Sequence, residues 1–308
     1  MSRIVAAIPN VCEGRDEAFI ARLTQKIKEV KGVVLLDVSM DQSRNRTVLA
    51  LTGSRAALFD AGMVLYEESL KHIDMRRHEG EYPRIGAVDV FPFVPLKDVS
   101  IGETVKMAEE FAAKVAKAFR IPVYLYGEAA RIPARRLVEN IRDIEYEGLE
   151  ARLKDPAWKP DFGPDEFKPD AGATIVGARY PLVSFKIFLD TRDPVVAEAI
   201  ARSIGFVRGG LRHVRANAGR TREEQKMQLT VSIANYRETP MYKVIELVRL
   251  EARRFGVGVL SVEMIGLIPE RAFLDSAMYY MNVNGFSLDR LVEKNVMAHL
   301  NEKVFFMG

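Results

Sequence analysis

One polar segment concentrates the side chains of this chain that could transfer protons and bind anions. It runs from Asp74 to Phe93 (DMRRHEGEYPRIGAVDVFPF) and carries His78, Tyr82 and Arg84 among acidic neighbours. An imidazole or a phenol can exchange a proton with a reacting group, and a guanidinium can bind a carboxylate or phosphate. Glycines and prolines within the segment favour a fixed loop with accessible backbone amides. A charged surface turn between a helix and a strand is the simpler interpretation, and the segment alone leaves both open.

The segment from Val123 to Arg136 (VYLYGEAARIPARR) is a β-rich run that ends in charged residues. It places Glu128 and Arg131 at the carboxyl end of the predicted strand, where ligand sites of α/β proteins usually lie. An ordinary surface ion pair explains the same two residues equally well. The pattern therefore gives candidates for charge organisation and no more.

A stretch rich in proline and glycine runs from Asp161 to Arg179 (DFGPDEFKPDAGATIVGAR). Its rigid backbone could wrap a flat ligand, with Phe162 and Phe167 as stacking faces, whereas the bare pattern is that of a linker. The sequence contains neither GxGxxG after a strand nor GxxxxGK[ST], so it does not support a nucleotide cofactor. A basic segment from Arg208 to Arg220 could meet carboxylates, but it is more typical of a solvated hairpin or loop.

Composition and charge exclude several classes of function. The chain has 308 residues, of which 48% are apolar and 28% charged, the balance of a folded enzyme with two lobes. A single cysteine, Cys12, and four histidines offer no disulfide and no zinc spacing. The net charge of +3 is spread along the chain, which argues against nucleic-acid binding. The apolar run before Pro9 is too short for a signal or a bilayer span, so we expect a cytoplasmic protein without metal or membrane partner.

The elements that must position these segments form two β-α-β-β-α-β units in our interpretation, an α/β (α+β) fold. In the first unit, apolar runs predict strands over Arg3 to Ile8, Val33 to Leu36, Arg46 to Leu51, Val88 to Val94 and Pro122 to Tyr126. Helical spacing and capping residues predict helices over Asp16 to Val30, Ser54 to Ile73 and Gly102 to Phe119. An ordered loop or linker follows over residues 155–172. In the second unit, an apolar stretch runs from Ala173 to Leu189, and β-rich runs follow at Arg212 to Arg215, Met227 to Ala234 and Val257 to Val262. Helices are predicted from Asp193 onward, over Met241 to Phe255 and over Pro269 to Tyr280.

Six ordered motifs together resemble the formimidoyltransferase domain of glutamate formimidoyltransferases. They are PNVCEGRD, NRTV, IDMRRHEGEYPRIGAVDVFPFVP, PVYLYGEAA, WKPDFGP and GATIVGAR, and the resemblance extends from Ile4 to about Tyr280. It implies two ferredoxin-like subdomains, residues 1–178 and 179–308, with a ligand cleft between them. It also implies transfer of a formimino or formyl group between glutamate and tetrahydrofolate, which is a co-substrate. A homodimer, and a partner subunit in place of a fused cyclodeaminase, are further implications.

The resemblance also assigns roles to residues of this sequence. Tyr82, in GEYPR, stands where the family has its catalytic histidine in a GEHPR-like pentapeptide, and His78 is the nearest substitute base. Glu128 joins them as a catalytic candidate, while Arg84, Arg131 and Arg179 are candidates for binding substrate or folate. The loop that corresponds to the family's folate-binding loop consists of Gly163, Pro164, Asp165, Glu166, Phe167, Lys168, Pro169, Asp170, Ala171 and Gly172. Ala171 lies where relatives often have an aromatic residue, and Lys186, Phe188 and Ser232 replace expected asparagines.

Two functions of different classes remain open from the sequence. The first is a folate-dependent one-carbon transferase in which Tyr82 or His78 handles protons. The second is a non-catalytic or repurposed folate-binding subunit that has lost the catalytic base. The exchange Tyr82→His discriminates between them, because a decayed site gains formimino transfer from a restored imidazole and a re-specialised site does not.

Overall fold

The computed structural model describes residues 3–221, 226–287 and 290–296. The chain divides into two compact units, residues 1–181 and 182–308. Each unit contains its own β-sheet and its own hydrophobic core, which confirms a mixed α and β architecture.

The first unit is built on a seven-stranded sheet. Its strands are β1 (Ile4–Ala7), β2 (Asn10–Val11), β3 (Val33–Asp41), β4 (Arg46–Gly53), β5 (Val88–Lys97), β6 (Val123–Gly127) and β7 (Thr174–Ala178). Its helices are α1 (Glu17–Glu29), α2 (Arg55–His72), α3 (Ile101–Phe119), α4 (Val138–Arg142) and α5 (Leu149–Leu153). Across the sheet the order is β3, β4, then β1 and β2 together, β5, β7 and β6. The strands β5, β7 and β6 are mutually parallel, and the other pairs are antiparallel.

Capping side chains define where the long helices begin. Asp16 accepts a hydrogen bond from the amide of Phe19 at the start of α1. Ser54 does the same for Ala57 at the start of α2, where a helix was predicted to begin. The strand predicted over Val88 to Val94 is longer than expected, because β5 continues through Pro95 to Lys97. A register shift against β1 accommodates the proline at that point.

Two different layers cover the two faces of this sheet. On one face α1, α2 and α3 enclose an aromatic core in which the rings of Phe91 and Phe111 lie 4.5 Å apart. On the other face the short helices α4 and α5 pack against side chains of β5, β6 and β7, with Tyr124 and Tyr126 at the centre. The sequence patterns did not predict this second layer, since α4 and α5 are each only five residues long.

The segment 155–172 is an ordered loop of the first unit and not a linker between the units. The amide of Asp161 donates to the carbonyl of Val123, 2.9 Å away, which fixes the loop beside β6. Gly172 forms an isolated antiparallel bridge with Gly86. The chain then enters β7, which lies between β5 and β6 in the same sheet, so the loop returns the backbone to its own unit.

The second unit repeats the order of elements with a four-stranded antiparallel sheet. Its elements are β8 (Val183–Leu189), α6 (Pro194–Ile204), β9 (Val214–Arg220), β10 (Met227–Ile233), α7 (Met241–Arg254), β11 (Val259–Ile265) and α8 (Glu270–Tyr280). Across the sheet the order is β9, β10, β8, β11, so the second, third, first and fourth strands of the unit lie side by side. The strands β3, β4, β1 and β5 of the first unit follow the same order. The second half of the basic segment 208–220 is β9, a half-exposed edge strand that pairs antiparallel with the next strand, β10, with Arg220 opposite Met227.

The packing of α2 against the aromatic core generates a stability prediction. A Cβ atom added at Gly62 would lie 2.4 Å from Cζ of Phe111 and 3.0 Å from Cζ of Phe91. We therefore expect Gly62→Ala to lower the free energy of unfolding by roughly 1–3 kcal/mol, although alanine is the better helix former. Urea denaturation followed by circular dichroism measures the change.

The matched control is Gly102→Ala in the first turn of α3, where an added Cβ meets no atom within 4 Å. We expect this variant to be unchanged or up to about 1 kcal/mol more stable. Equal effects of the two alanines would contradict the packing argument.

Candidate active site

Three arginines surround the half-buried phenol ring of Tyr82. The guanidinium carbon of Arg46 lies 4.5 Å from the ring centre, that of Arg142 lies 5.4 Å away and that of Arg44 lies 5.6 Å away. Nη1 of Arg142 donates to the phenol oxygen over 3.4 Å. We call Arg44, Arg46 and Arg142 the arginine cage of Tyr82.

A buried ion pair holds the cage in place. Arg142, at the end of α4, pairs with the carboxylate of Asp89 on β5, and their side chains are 5% and 1% exposed. The second carboxylate oxygen of Asp89 accepts from the amide of Ile85 over 3.1 Å, in the loop that carries Tyr82. Arg46 begins β4 and donates to the side-chain oxygen of Asn10 on β2. The cage thus joins α4 to three neighbouring strands of the sheet.

The cage changes the acidity of Tyr82. Burial alone raises the pKa of the phenol, but the charges of Arg142 and Arg46 and a hydrogen bond from Arg46 lower it, against a smaller opposing effect of Asp89. The net result is a pKa below the ordinary value for tyrosine. Tyr82 consequently loses its proton more readily than a free phenol does.

His78 uses both ring nitrogens within the protein. Its Nδ1 lies 3.2 Å from Nε of Arg84, and its Nε2 lies 3.0 Å from the backbone carbonyl of Asn45. Because an arginine nitrogen can only donate, Nδ1 is the acceptor and Nε2 carries the proton. Burial of the ring and the charge of Arg84 outweigh the hydrogen bond to Asn45 and lower the pKa of the imidazole. In this arrangement the lone pair of His78 is not free to accept a proton from a substrate.

Arg84 is saturated by acceptors of the chain itself. Its five N–H groups meet Nδ1 and the carbonyl of His78, one carboxylate oxygen of Glu145 and both oxygens of Glu147, at 2.7–3.3 Å. The residue is only 7% exposed. The geometry therefore makes Arg84 a link between the Tyr82 loop and the segment before α5, and its predicted role in binding a ligand stays a prediction.

Asn45, from the NRTV motif, fastens the loops around the cage. Its backbone has a φ of +47°, a left-handed conformation that asparagine tolerates better than most residues. The side-chain oxygen accepts from the amide of Gly14 at 2.9 Å, and the side-chain nitrogen donates to the carbonyl of Glu79 at 3.0 Å. One side chain thus connects the loops that precede α1 and β5.

The other predicted site residues lie beyond the carboxyl ends of β6 and β7. Glu128 is exposed and accepts from Arg136 over 2.9 Å, while Arg131 is 46% exposed over the ring of Phe162, 4.7 Å from its centre. Glu128 and Arg131 therefore have different partners. Arg179 donates to the carbonyl of Tyr180 over 3.1 Å, and its charge acts on the buried phenol of Tyr126, as do those of Arg142 and Arg46.

The loop from Gly163 to Gly172 is fixed at both ends by its glycines. Their φ values are +83° and +69°, and a Cβ at Gly163 would lie 2.3 Å from the carbonyl oxygen of Ile121. Lys168 donates from Nζ to the carbonyl of Phe119 over 3.1 Å, and the ring of Phe167 lies 5.5 Å from that of Tyr146. Asp165, Glu166, Pro169 and Asp170 are exposed, Pro164 is half-buried, and Ala171 is buried.

Sequence reasoning missed the residues that surround Tyr82. Arg46 lies in the NRTV motif and Asp89 in the Asp74–Phe93 segment, so both carried a signal, yet neither was selected as a site residue. Arg142 carried no signal, because it lies on a helix of a single turn, far from Tyr82 in sequence.

Family models match almost the whole chain. The formiminotransferase domain, N-terminal subdomain, matches residues 4–179, and the formiminotransferase domain matches residues 185–300. The chain belongs to the formiminotransferase family. The sequence-based assignment to this family is thus confirmed, while the divergence at its catalytic histidine, inferred for Tyr82, stays a prediction.

Named relatives of this formiminotransferase family member align with more than nine-tenths of its length. The chain is 37% identical to the glutamate formimidoyltransferase of Streptococcus pyogenes serotype M1, over 96% of the chain and 99% of the relative. It is 39% identical to the glutamate formimidoyltransferase of Thermoplasma acidophilum, over 97% and 99%. Against the formimidoyltransferase-cyclodeaminase of Rattus norvegicus it is 37% identical over 91% of the chain but only 53% of the relative.

Two further observations concern metals and membranes. Across residues 3–221, 226–287 and 290–296, no group of three or more His, Cys, Asp or Glu side chains is arranged to hold a metal ion. Within the same ranges no helix is long and apolar enough to span a bilayer. The expectations of a metal-free reaction and a cytoplasmic location stay predictions.

The hydrogen bonds of His78 predict how stability depends on pH. Because the pKa of His78 is lowered in the folded state, its contribution to stability is complete above the unfolded value of ~6.5 and is lost as the pH falls through the folded value. His78→Gln keeps a donor and an acceptor but cannot titrate. We expect the wild type to lose stability relative to this variant as the pH falls below ~6.5, in urea denaturation at a series of pH values. Parallel curves for the two proteins would show that His78 does not contribute.

Proposed function

We propose that this chain is a folate-dependent one-carbon transferase that moves a formimino group from N-formiminoglutamate to tetrahydrofolate. The observation that carries the proposal is identity of 37–39% to two glutamate formimidoyltransferases over nearly their full length. The order of the two family models along the chain supports it. A formyl group is the other acyl group that the same chemistry accommodates.

In this proposal the folate lies against the loop from Gly163 to Gly172. The left-handed glycines and the bond from Lys168 to the helix end support a preformed loop, which lowers the entropy cost of binding. Arg131 and Arg179 are the cations at the ends of β6 and β7 that supply charge for the carboxylates of the substrates, with Glu128 nearby. Holding amine and formimino carbon side by side supplies a large part of the acceleration.

The finer expectations about architecture belong to the same proposal. The shared strand order of the two units supports two ferredoxin-like subdomains. The ligand cleft between them stays a prediction from the family resemblance. A homodimer and a separate partner that provides the cyclodeaminase reaction follow from the family resemblance.

The alternative is a repurposed folate-binding subunit. The identity of Tyr82 favours it, since a free phenol has a pKa near ~10 and is a poor base at neutral pH. The arginine cage weighs against it, because the charges of Arg142 and Arg46 lower the pKa of this phenol and make its ionisation easier. We therefore favour the catalytic function over the folate-binding subunit.

Calorimetric titration with tetrahydrofolate and 5-formyltetrahydrofolate, followed by turnover with N-formiminoglutamate, tests the proposal. We expect binding, and we expect Phe167→Ala to raise the Kd roughly two- to tenfold, the equivalent of one lost aromatic contact. Phe255→Ala, at an exposed aromatic residue after α7 and outside this loop, serves as the matched control and should leave the Kd unchanged. Lack of binding at millimolar folate would leave the chain without this function.

A further inference from the structure

We propose that Tyr82 is the general base of the transfer in this chain and works as a phenolate that the arginine cage stabilises. The inference rests on the proposed function and assigns its proton-transfer step to one atom, the phenol oxygen. It reverses the simpler expectation that a tyrosine serves only as a proton donor.

The charges around Tyr82 favour its anion. Guanidinium groups stay protonated at all physiological pH values, so Arg44, Arg46 and Arg142 contribute three fixed positive charges beside the ring. Arg142 also donates directly to the phenol oxygen. Two acids oppose them: Asp89, whose carboxylate is already engaged by Arg142 and by the amide of Ile85, and Asp41, which pairs with Arg44 over 3.6 Å. The balance leaves an excess of positive charge that a phenolate neutralises.

The cage suits an anionic base better than a cationic conjugate acid. When a phenolate accepts a proton it becomes neutral, whereas an imidazole in the same place would become positive among three guanidinium groups. Both buried Nε atoms of Arg46 and Arg142 have no hydrogen-bond partner. Arg142 pairs with Asp89 and Arg44 pairs with Asp41. Arg46 instead donates to the neutral side chain of Asn10, so the charge of Arg46 is the one that a phenolate would offset.

Other titratable groups of the region are poorly suited to the role. The lone pair of His78 is occupied by Arg84. Glu128 is exposed and pairs with Arg136. Cys12 is fully buried, and burial together with the charge of Asp89 raises the pKa of its thiol, so it remains protonated.

The step balances with Tyr82 as the only protein group that changes protonation. The lone pair of N5 of tetrahydrofolate attacks the carbon of the protonated formimino group, and the C=N electrons move to the imino nitrogen, giving a tetrahedral intermediate with a proton on N5. The Tyr82 phenolate takes that proton. The resulting phenol gives it to the glutamate nitrogen, which leaves with the electron pair of the broken C–N bond, while the amino lone pair re-forms C=N. Glutamate is released, the product keeps its charge, and the phenolate is regenerated.

A substrate-free titration tests the phenolate directly. The near-ultraviolet absorbance of tyrosinate is followed with rising pH in the wild type, Tyr82→Phe and the control Tyr280→Phe. Tyr280 is held by Glu246, and burial raises its pKa to about 12. Of the ten tyrosines, we expect one to ionise first, at a pH below the ordinary range. That phase should disappear in Tyr82→Phe, persist in Tyr280→Phe and move to higher pH in Arg46→Gln. A lowest phase that Tyr82→Phe retains would overturn the assignment.

Steady-state kinetics then tests the base. Tyr82→Phe should lower kcat by roughly 10²- to 10⁴-fold with a smaller effect on KM, as for loss of a general base. The wild-type rate should rise with pH through the same phase that the absorbance reports, and Tyr82→His should recover part of kcat with its rise at lower pH. If Tyr82→Phe turned over as fast as the wild type, the assignment of Tyr82 as the base would be wrong, and the proposed function would stand. Absence of turnover with every folate tested would overturn the proposed function, and the base with it.

Discussion

The ion pair between Arg142 and Asp89 is the interaction on which the candidate site depends. Both side chains are almost fully buried, so each charge is tolerable only because the other is present. Removal of one partner from such a pair typically costs about 3–5 kcal/mol, because it leaves an uncompensated charge in the interior. The pair joins α4 to β5 and directs one guanidinium towards Tyr82. The position of the cage and the stability of the second layer on the sheet are therefore consequences of the same contact.

A division of labour follows among the polar residues around this pair. Arg84, His78 and Asn45 satisfy one another and the adjacent loops, so they define the conformation of the Tyr82 loop. Arg44, Arg46 and Arg142 act on the phenol ring itself. Residues that looked alike in the sequence, several arginines near a histidine and a tyrosine, thus separate into structural and electrostatic groups only when their hydrogen bonds are known.

Local signals predicted the long helices and most of the strands, whereas the short helices α4 and α5 and the remaining strands depend on long-range contacts. Asp16, Ser54 and Asp193 mark helix starts with side chains that satisfy free amides, a relation confined to a few residues. The run from Ala173 to Leu189 was one apolar stretch in the sequence but is two strands in different units. Periodicity shows that a residue is buried and does not show which sheet buries it. For the same reason the sequence did not predict the arginine cage, since its members lie on β4, in the turn before β4 and on α4.

The insertion of β7 between β5 and β6 also constrains the order in which the first unit can form. The parallel pairing of Val90 with Ile175 closes a long stretch of chain, and loops of that kind are entropically costly and slow to close. Until Ala178 has been synthesised, β5 and β6 each present an unpaired edge of buried, apolar strand to their surroundings. During translation this half of the molecule therefore passes through a stage in which association with other chains or with a chaperone competes with folding.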